Sequence, residues 1–187
     1  LGVADNTMLW FNSDNGAWES DDKPEDYFGS NGPLRGHKGQ LWEGGIRVPG
    51  LLVWPEKVQN PRVVDIPYST SDYYPTVLDA LNLRMKGQPE PLDGMNLMPL
   101  IDGKISERTQ PIAFESRNQI ALTDNRYKIY SKDKGKTFEL YDLVDDPEES
   151  KNIAFENSEV LEYMKKFVRE WQESCKNSLE GKDYKDF

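Results

Sequence analysis

Two short stretches of this chain hold residue types that could bind an anion with the help of a metal ion. Residues 13–16 read S-D-N-G and follow a run of four large apolar residues, 8–11. Such a run, closed by turn formers, favours a strand buried on both faces of a parallel sheet. Ligands of open α/β sheets bind at the carboxyl ends of strands, where Asp14 and Asn15 would emerge with their oxygen atoms side by side. Hard oxygen donors of this kind suit Ca²⁺ or Mg²⁺.

The second stretch combines glycines with a block of positive charge. Residues 34–50 contain five glycines around Arg35, His37 and Lys38. Glycine lets the backbone approach a ligand closely and adopt a positive φ angle. A cation held in such a loop, close to a metal site, is typical of a cradle for an oxyanion.

Together these stretches resemble the sulfatase family of the alkaline-phosphatase-like superfamily. The resemblance runs in family order along nearly the whole chain, through residues 13–16, 34–39, 42–49, 72–79, 93–97, 140–143, 146–149 and 152–154. The nucleophile motif of that family, Cys or Ser followed by x-Pro-x-Arg, does not occur in the sequence. The resemblance therefore covers only the C-terminal part of a sulfatase.

This resemblance implies an α/β fold, namely the C-terminal part of an alkaline-phosphatase-like sulfatase fold. It implies a parent protein that hydrolyses sulfate esters, with a sulfated sugar as a candidate substrate. The formylglycine nucleophile, further metal ligands and the general acid would belong to the missing N-terminal half. From this chain, Asp14 and Asn15 would bind Ca²⁺, and Lys38 would contact the sulfate ester as a catalytic and substrate-binding cation. His37 is a further substrate-binding candidate, although the family takes its catalytic histidine from the missing half, which favours a loop role.

Several of these residues also have a purely structural interpretation. Asn15 and Gly16 alone favour a type I′ turn, and Lys38 alone would be a solvated lysine. Glu43 and Arg47 are spaced four residues apart and are expected to form a structural ion pair or backbone hydrogen bonds. These alternatives stay open at the level of sequence.

Aromatic and thiol side chains are expected to have different roles. Trp10, Trp42 and Trp54 are expected in the core, whereas Trp18 opens an acidic loop over residues 17–33 and is the better candidate to touch a sugar or aryl group. The single cysteine, Cys175, lacks the Pro and Arg that follow a formylglycine precursor, so we do not expect it to be a nucleophile.

Composition excludes some partners. The net charge of −10 over 187 residues argues against nucleic acid held by counterion release and against an anionic membrane surface. No apolar run approaches the roughly 18 residues of a membrane span. The family expectation for location is export to the periplasm, the lysosome or the cell exterior.

A change in the sequence pattern near residues 103–110 predicts two units, residues 1–108 and 109–187. The resemblance implies that the first is the C-terminal part of the α/β sulfatase catalytic domain and the second a small C-terminal subdomain. Four candidate strands at 112–115, 119–123, 127–131 and 137–143, joined by short turns, predict an antiparallel sheet. An amphipathic helix over 158–176 should pack on it, with Ser158 as N-cap. Its expected buried residues are Leu161, Met164, Val168 and Trp171. A capping box from Ser69 to Asp72 predicts an earlier helix, which Pro75 should bend or begin.

Three hypotheses for function remain. The leading one is part of a sulfatase. A phosphoesterase of the same superfamily would need additional His and Asp metal ligands, and a single histidine counts against it. A non-catalytic binding or assembly domain with the same fold is favoured by the missing nucleophile motif. The first strand of the isolated chain would lack its upstream sheet neighbours, so we expect it to self-associate, to bind the missing N-terminal half or to be disordered.

Overall fold

The computed structural model describes residues 2–18, 29–88 and 90–184. Most of the acidic loop predicted at 17–33 therefore lies outside the described residues. Within the described part, the elements follow in the order β1 Leu9–Asn12, α1 Glu43–Ile46, β2 Gly50–Val53, α2 Tyr73–Ala80, α3 Met98–Ile101, β3 Ile112–Ser116, β4 Gln119–Thr123, β5 Tyr127–Ser131, β6 Glu139–Asp142 and α4 Ser158–Leu179.

The C-terminal sheet has the predicted form. Its four strands lie in the order β3-β4-β5-β6, and every neighbouring pair is antiparallel. Helix α4 covers one face, where Met164 and Val168 pack against Ile120, Ile129 and Leu140. The α/β chain thus ends in a four-stranded antiparallel sheet packed with a C-terminal helix, as the four candidate strands and the short turns indicated.

Helix α4 begins at the predicted residue but ends three residues later, and its N-cap residue differs from the prediction. It runs from Ser158 to Leu179, and its N-cap is Asn157, without a side-chain cap hydrogen bond. The prediction of Ser158 as N-cap is therefore wrong. Asn157 is instead tied to the preceding turn, because both its backbone and its side-chain N–H groups donate to the carbonyl of Ile153. Of the four residues expected to be buried, Met164 and Val168 are fully buried, while Leu161 and Trp171 are half-buried.

Strand β1 does not have the predicted environment. It pairs antiparallel with β2 in a two-stranded ribbon, so the expectation of a strand buried on both faces of a parallel sheet is wrong. Successive side chains of a strand point to opposite faces. Trp10 and Leu52 therefore pack inward near Trp54, while Leu9 and Phe11 point outward and are more than half exposed.

Helix α2 begins as the capping pattern predicted. Ser69 and Asp72 form a complete capping box around a short 3₁₀ turn, and α2 follows directly at Tyr73. Pro75 lies in the first turn of the helix, where a missing N–H group costs little. The Asp72 carboxylate is fully buried and accepts two hydrogen bonds from the guanidinium of Arg108, at 2.7 and 3.1 Å.

Among the described residues, no helix combines the length and the apolar character that crossing a membrane requires.

Candidate functional site

The backbone brings the two predicted stretches side by side. The N–H of Gly16 donates to the carbonyl of Gly45 at 3.0 Å, and the N–H of Lys38 donates to the carbonyl of Ala17 at 3.0 Å. The segment that carries Asp14 and Asn15 therefore lies against the loop that carries Lys38. We call residues 35–45 the lysine loop.

Glycines allow this close packing. A Cβ atom added to Gly16 would lie 1.8 Å from the carbonyl oxygen of Gly44, and one added to Gly44 would lie 2.2 Å from that of Gly36. Any larger residue would therefore push the segments apart. Neither Asn15 nor Gly16 has a positive φ angle, so the type I′ turn interpretation of this pair is wrong.

Asn31 connects the same segments through its side-chain amide. Its Oδ1 atom accepts from the N–H of Ala17 at 2.7 Å, and its Nδ2 atom donates to the carbonyl of Gly36 at 3.2 Å. The sequence analysis did not identify this residue, because its partners lie 14 and 5 positions away and no local pattern marks them.

Asp14 and Asn15 fit part of a site for a hard cation. The Nδ2 atom of Asn15 donates to Oδ1 of Asp14 at 3.3 Å and to the carbonyl of Gly16 at 3.2 Å, so its amide oxygen is the atom available to a cation. The Asp14 side chain is exposed. Ca²⁺ takes about six to eight oxygen ligands, more than these two residues offer. Over residues 2–18, 29–88 and 90–184, no group of three or more His, Cys, Asp or Glu side chains is placed to hold a metal ion.

His37 and Lys38 lie in a tight turn of the lysine loop. The N–H of His37 donates to Oε1 of Gln40, and the N–H of Gln40 donates to the carbonyl of His37. The Nδ1 atom of His37 lies 3.0 Å from the carbonyl oxygen of Lys38. The His37 ring is therefore held by its own loop, in keeping with the loop role, and only Nε2 is left to face a ligand. The Lys38 side chain is exposed.

Trp18 lies beside this turn. Its ring centroid is 6.0 Å from that of His37 in an edge-to-face arrangement, and half of its surface is exposed. An exposed indole next to a lysine offers an apolar surface beside a cation.

The other side of the lysine loop packs on the C-terminal sheet. Trp42 is buried, with its ring centroid 3.8 Å from that of Tyr130 and 5.6 Å from that of Tyr141. The guanidinium of Arg35 lies 3.7 Å above the Trp42 ring. The expectation that Trp42 is a core residue is confirmed, and Trp54 is buried as well.

A buried ion cluster joins the same surfaces. The Nζ atom of Lys128 lies 2.9 Å from Oε1 of Glu43 and 2.8 Å from Oε1 of Glu149. The backbone N–H of Glu43 also donates to Oε2 of Glu149 at 2.6 Å. The expected pair of Glu43 with Arg47 is present but longer, at 3.8 Å. Burial raises the pKa of Glu149, and the attraction of Lys128 opposes this only in part.

Cys175 lies half-buried on α4. Burial raises the pKa of its thiol, so little of it is present as the nucleophilic thiolate at neutral pH.

Solved structures define the class of protein. The crystal structure of Ps i-CgsB matches with a TM-score of 0.75 and 28% sequence identity, over 91% of this chain and 37% of that chain. The PsFucS1 sulfatase from Pseudoalteromonas sp. has a TM-score of 0.72 at 24% identity, over 94% of this chain and 38% of that one. The chain therefore has the alkaline-phosphatase-like fold of sulfatases.

Sequence comparison gives matches to sulfatases as well. The Sulfatase family model matches residues 1–83. Human steryl-sulfatase is 40% identical over 124 residues, which cover 63% of this chain and 20% of the human protein. A sulfatase of Formosa agariphila is 29% identical over 174 residues, which cover 83% of this chain and 30% of that protein. The chain is therefore similar to the sulfatase family in sequence and in structure, and it spans less than a third of the length of these two relatives.

Proposed function

We propose that this chain is part of a sulfatase that hydrolyses sulfate esters. In it, Asp14 and Asn15 bind Ca²⁺, and Lys38 binds the sulfate group. The observation that carries this proposal is the pair of backbone hydrogen bonds, Gly16 to Gly45 and Lys38 to Ala17, which place the segment of Asp14 and Asn15 against the lysine loop.

Each group has a separate task in this proposal. Bound Ca²⁺ would supply positive charge that polarises the sulfate. The ammonium group of Lys38 neutralises the negative charge that develops on the bridging and peripheral oxygens as the S–O bond breaks. The formylglycine nucleophile, for which this sequence holds no motif, would come from the rest of the parent protein. This chain alone should therefore not turn over a sulfate ester.

The surface beside Lys38 supports a substrate with a ring. Trp18 is half exposed next to His37, and an indole face offers a large apolar contact for a sugar or aryl ring. The solved structure of Ps i-CgsB in complex with k-i-k-neocarrahexaose, 28% identical to this chain, supports a sugar as the ring that carries the sulfate in our proposal.

The proposal is tested with an aryl sulfate and the parent sulfatase in which this chain is embedded. Lys38→Ala should lower turnover about 100-fold or more, the scale observed when one oxyanion donor is removed. Lys57→Ala, at an exposed lysine away from the lysine loop, is the matched control and should leave turnover unchanged. Full activity of the Lys38→Ala parent would contradict the proposal.

The missing nucleophile motif favours a second candidate function, a non-catalytic binding domain. A complementation assay distinguishes it from the sulfatase proposal. The purified chain is assayed alone and after addition of the upstream half as a separate polypeptide. We expect turnover only in the mixture. Turnover by the chain alone would contradict our assignment of the nucleophile. A mixture that associates but stays inactive would favour the non-catalytic domain.

A further inference from the structure

The lysine loop is connected to the C-terminal sheet by one side-chain amide. Gln119 is the first residue of β4. Its Nε2 atom donates to the carbonyl of Gly39 at 3.1 Å, and its Oε1 atom accepts from the N–H of Leu41 at 3.0 Å. The amide thus bridges the residues on either side of Gln40, directly after Lys38.

The Gln119 amide is itself held in place. Its Oε1 atom also accepts from the hydroxyl of Tyr130 at 3.0 Å, and the Tyr130 ring lies against Trp42. An amide whose oxygen accepts two hydrogen bonds, while its nitrogen donates a third, has only one favourable orientation. The backbone of Gln119 is held as well, because Gln119 pairs with Ser116 of β3 across a two-residue turn in which Arg117 has a φ angle of 58°.

The lysine loop needs such an external support. Gly36 and Gly39 flank the His37-Lys38 turn with φ angles of 80° and 92°. A Cβ atom at Gly39 would meet no heavy atom within 4 Å, so close packing does not hold the backbone there. Glycines retain much backbone freedom, and hydrogen bonds from outside the loop must restrict it.

We propose that Gln119 is a positioning residue for Lys38. On one side, the Lys38 backbone is held by the carbonyl of Ala17. On the other side, the Gln119 amide holds Gly39 and Leu41. The C-terminal sheet thereby fixes the direction in which the lysine side chain leaves the loop. The consequence for catalysis rests on the proposed function of Lys38.

Hydrogen exchange of this chain tests the structural part. Gln119→Leu keeps a side chain of similar size but removes both hydrogen bonds to the lysine loop. The amides of Lys38, Gln40 and Leu41 should then exchange about tenfold faster. The amides of Ile129 and Leu140, within the sheet, should be unchanged and show that the fold is kept.

Gln172→Leu is the matched control. Gln172 bonds Glu115 at 3.0 Å, from α4 to β3, and does not contact the lysine loop. Its variant should leave exchange in the loop unchanged. Gln119→Glu keeps the acceptor for the N–H of Leu41 but loses the donor to the carbonyl of Gly39. It should therefore raise the exchange rates in the loop by less than Gln119→Leu does. This variant replaces Gln119→Leu if the leucine variant does not fold. Unchanged loop exchange in a folded Gln119 variant would overturn the proposal.

Kinetics of the parent sulfatase test the catalytic part. Gln119→Leu should lower kcat about tenfold with little change in KM, because a displaced lysine acts mainly on the charge of the transition state. If Lys38→Ala lowers turnover and Gln119→Leu does not, the positioning role is wrong while the proposed function stands. If Lys38→Ala has no effect and Gln119→Leu still loosens the loop, the function of Lys38 is wrong while the support of the loop stands.

Discussion

One buried cluster combines an ammonium group with two carboxyl groups, those of Lys128, Glu43 and Glu149. None of the three is on the exposed surface, so water cannot compensate a charge that loses its partner. Removing one partner of a buried ion pair typically costs about 3–5 kcal/mol. Because the cluster joins the segment around Glu43 to β5, its loss should affect the whole C-terminal sheet.

Lys128→Met should therefore lower the free energy of unfolding by about 3–5 kcal/mol, since two carboxylates stay buried without a cation. The measurement is urea denaturation followed by tryptophan fluorescence. The control is Lys165→Met, which removes the exposed pair with Glu162 on α4 and should change stability little. Equal losses in the two variants would show that the Lys128 cluster has no special role.

Asp14 contributes the only carboxylate of the proposed calcium pair. This chain should bind Ca²⁺ only in the millimolar range, as expected for a site with few ligands. Asp14→Ala should abolish this binding in calorimetry, and in the parent sulfatase it should lower Ca²⁺ affinity and turnover together. Asp5→Ala, at an exposed aspartate outside the pair, is the control. Wild-type activity of the Asp14→Ala parent at low Ca²⁺ would show that Asp14 is only a turn residue.

At the scale of the elements, the β5–β6 turn is organised by Asp133. Its carboxylate accepts from the backbone N–H of Thr137 at 2.9 Å, from the Thr137 hydroxyl at 2.7 Å and from the Ser131 hydroxyl at 2.8 Å. These hydrogen bonds, that of the Thr137 backbone above all, lower the pKa of Asp133 to about 2. A carboxylate with a lowered pKa in the folded state stabilises the fold above its ordinary pKa, and this stabilisation is lost as the pH falls through the folded value.

Asp133→Asn should therefore destabilise the chain at neutral pH, and its difference from the wild type should shrink as the pH falls from about 4 towards 2. Urea midpoints of both proteins at pH 7, 4 and 2 measure this difference. Asp65→Asn changes an exposed aspartate and should show no such convergence. A constant difference between wild type and Asp133→Asn at all three pH values would rule out the proposed linkage.

At the scale of the whole molecule, the β1–β2 ribbon leaves an apolar surface. We call it the ribbon face, and its members are Leu9, Phe11, Leu51 and Val53, which are 53–62% exposed. Leu9 lies opposite Val53, and Phe11 lies opposite Leu51. A two-stranded ribbon is marginal by itself, and contiguous apolar surface of this kind marks an interaction site.

We predict that the isolated chain self-associates through the ribbon face, with the upstream segment of the proposed parent sulfatase as the competing partner. Phe11→Lys should shift sedimentation of the chain towards monomer, because the charge cannot be buried in an apolar contact. Phe155→Lys, at an aromatic residue that is 96% exposed elsewhere, should leave association unchanged. A wild-type chain that stays monomeric at about 100 μM, a concentration at which even a weak micromolar contact would be occupied, would refute this prediction.

Local patterns by themselves determined much of this fold. The candidate strand segments and the short turns between them located all four strands of the C-terminal sheet, and the 3.6-residue period located α4. The Ser69–Asp72 capping box could also be predicted from the sequence, because its hydrogen-bond partners lie within three positions of each other. Residues 13–16 and 34–50 were also recognisable as compact motifs, and their role in a functional site stays a prediction.

Only the tertiary structure decided which distant residues meet. Lys128 reaches Glu43 across 85 positions, and Gln119 reaches Gly39 across 80, so no short-range pattern could pair them. The environment of β1 was also decided by tertiary structure. Its apolar residues predicted full burial, but only one face of the ribbon is packed, so half of these residues are exposed. Propensity and periodicity act over a few residues, whereas partners, exposure and the support of Lys38 are set by packing between segments far apart in the chain.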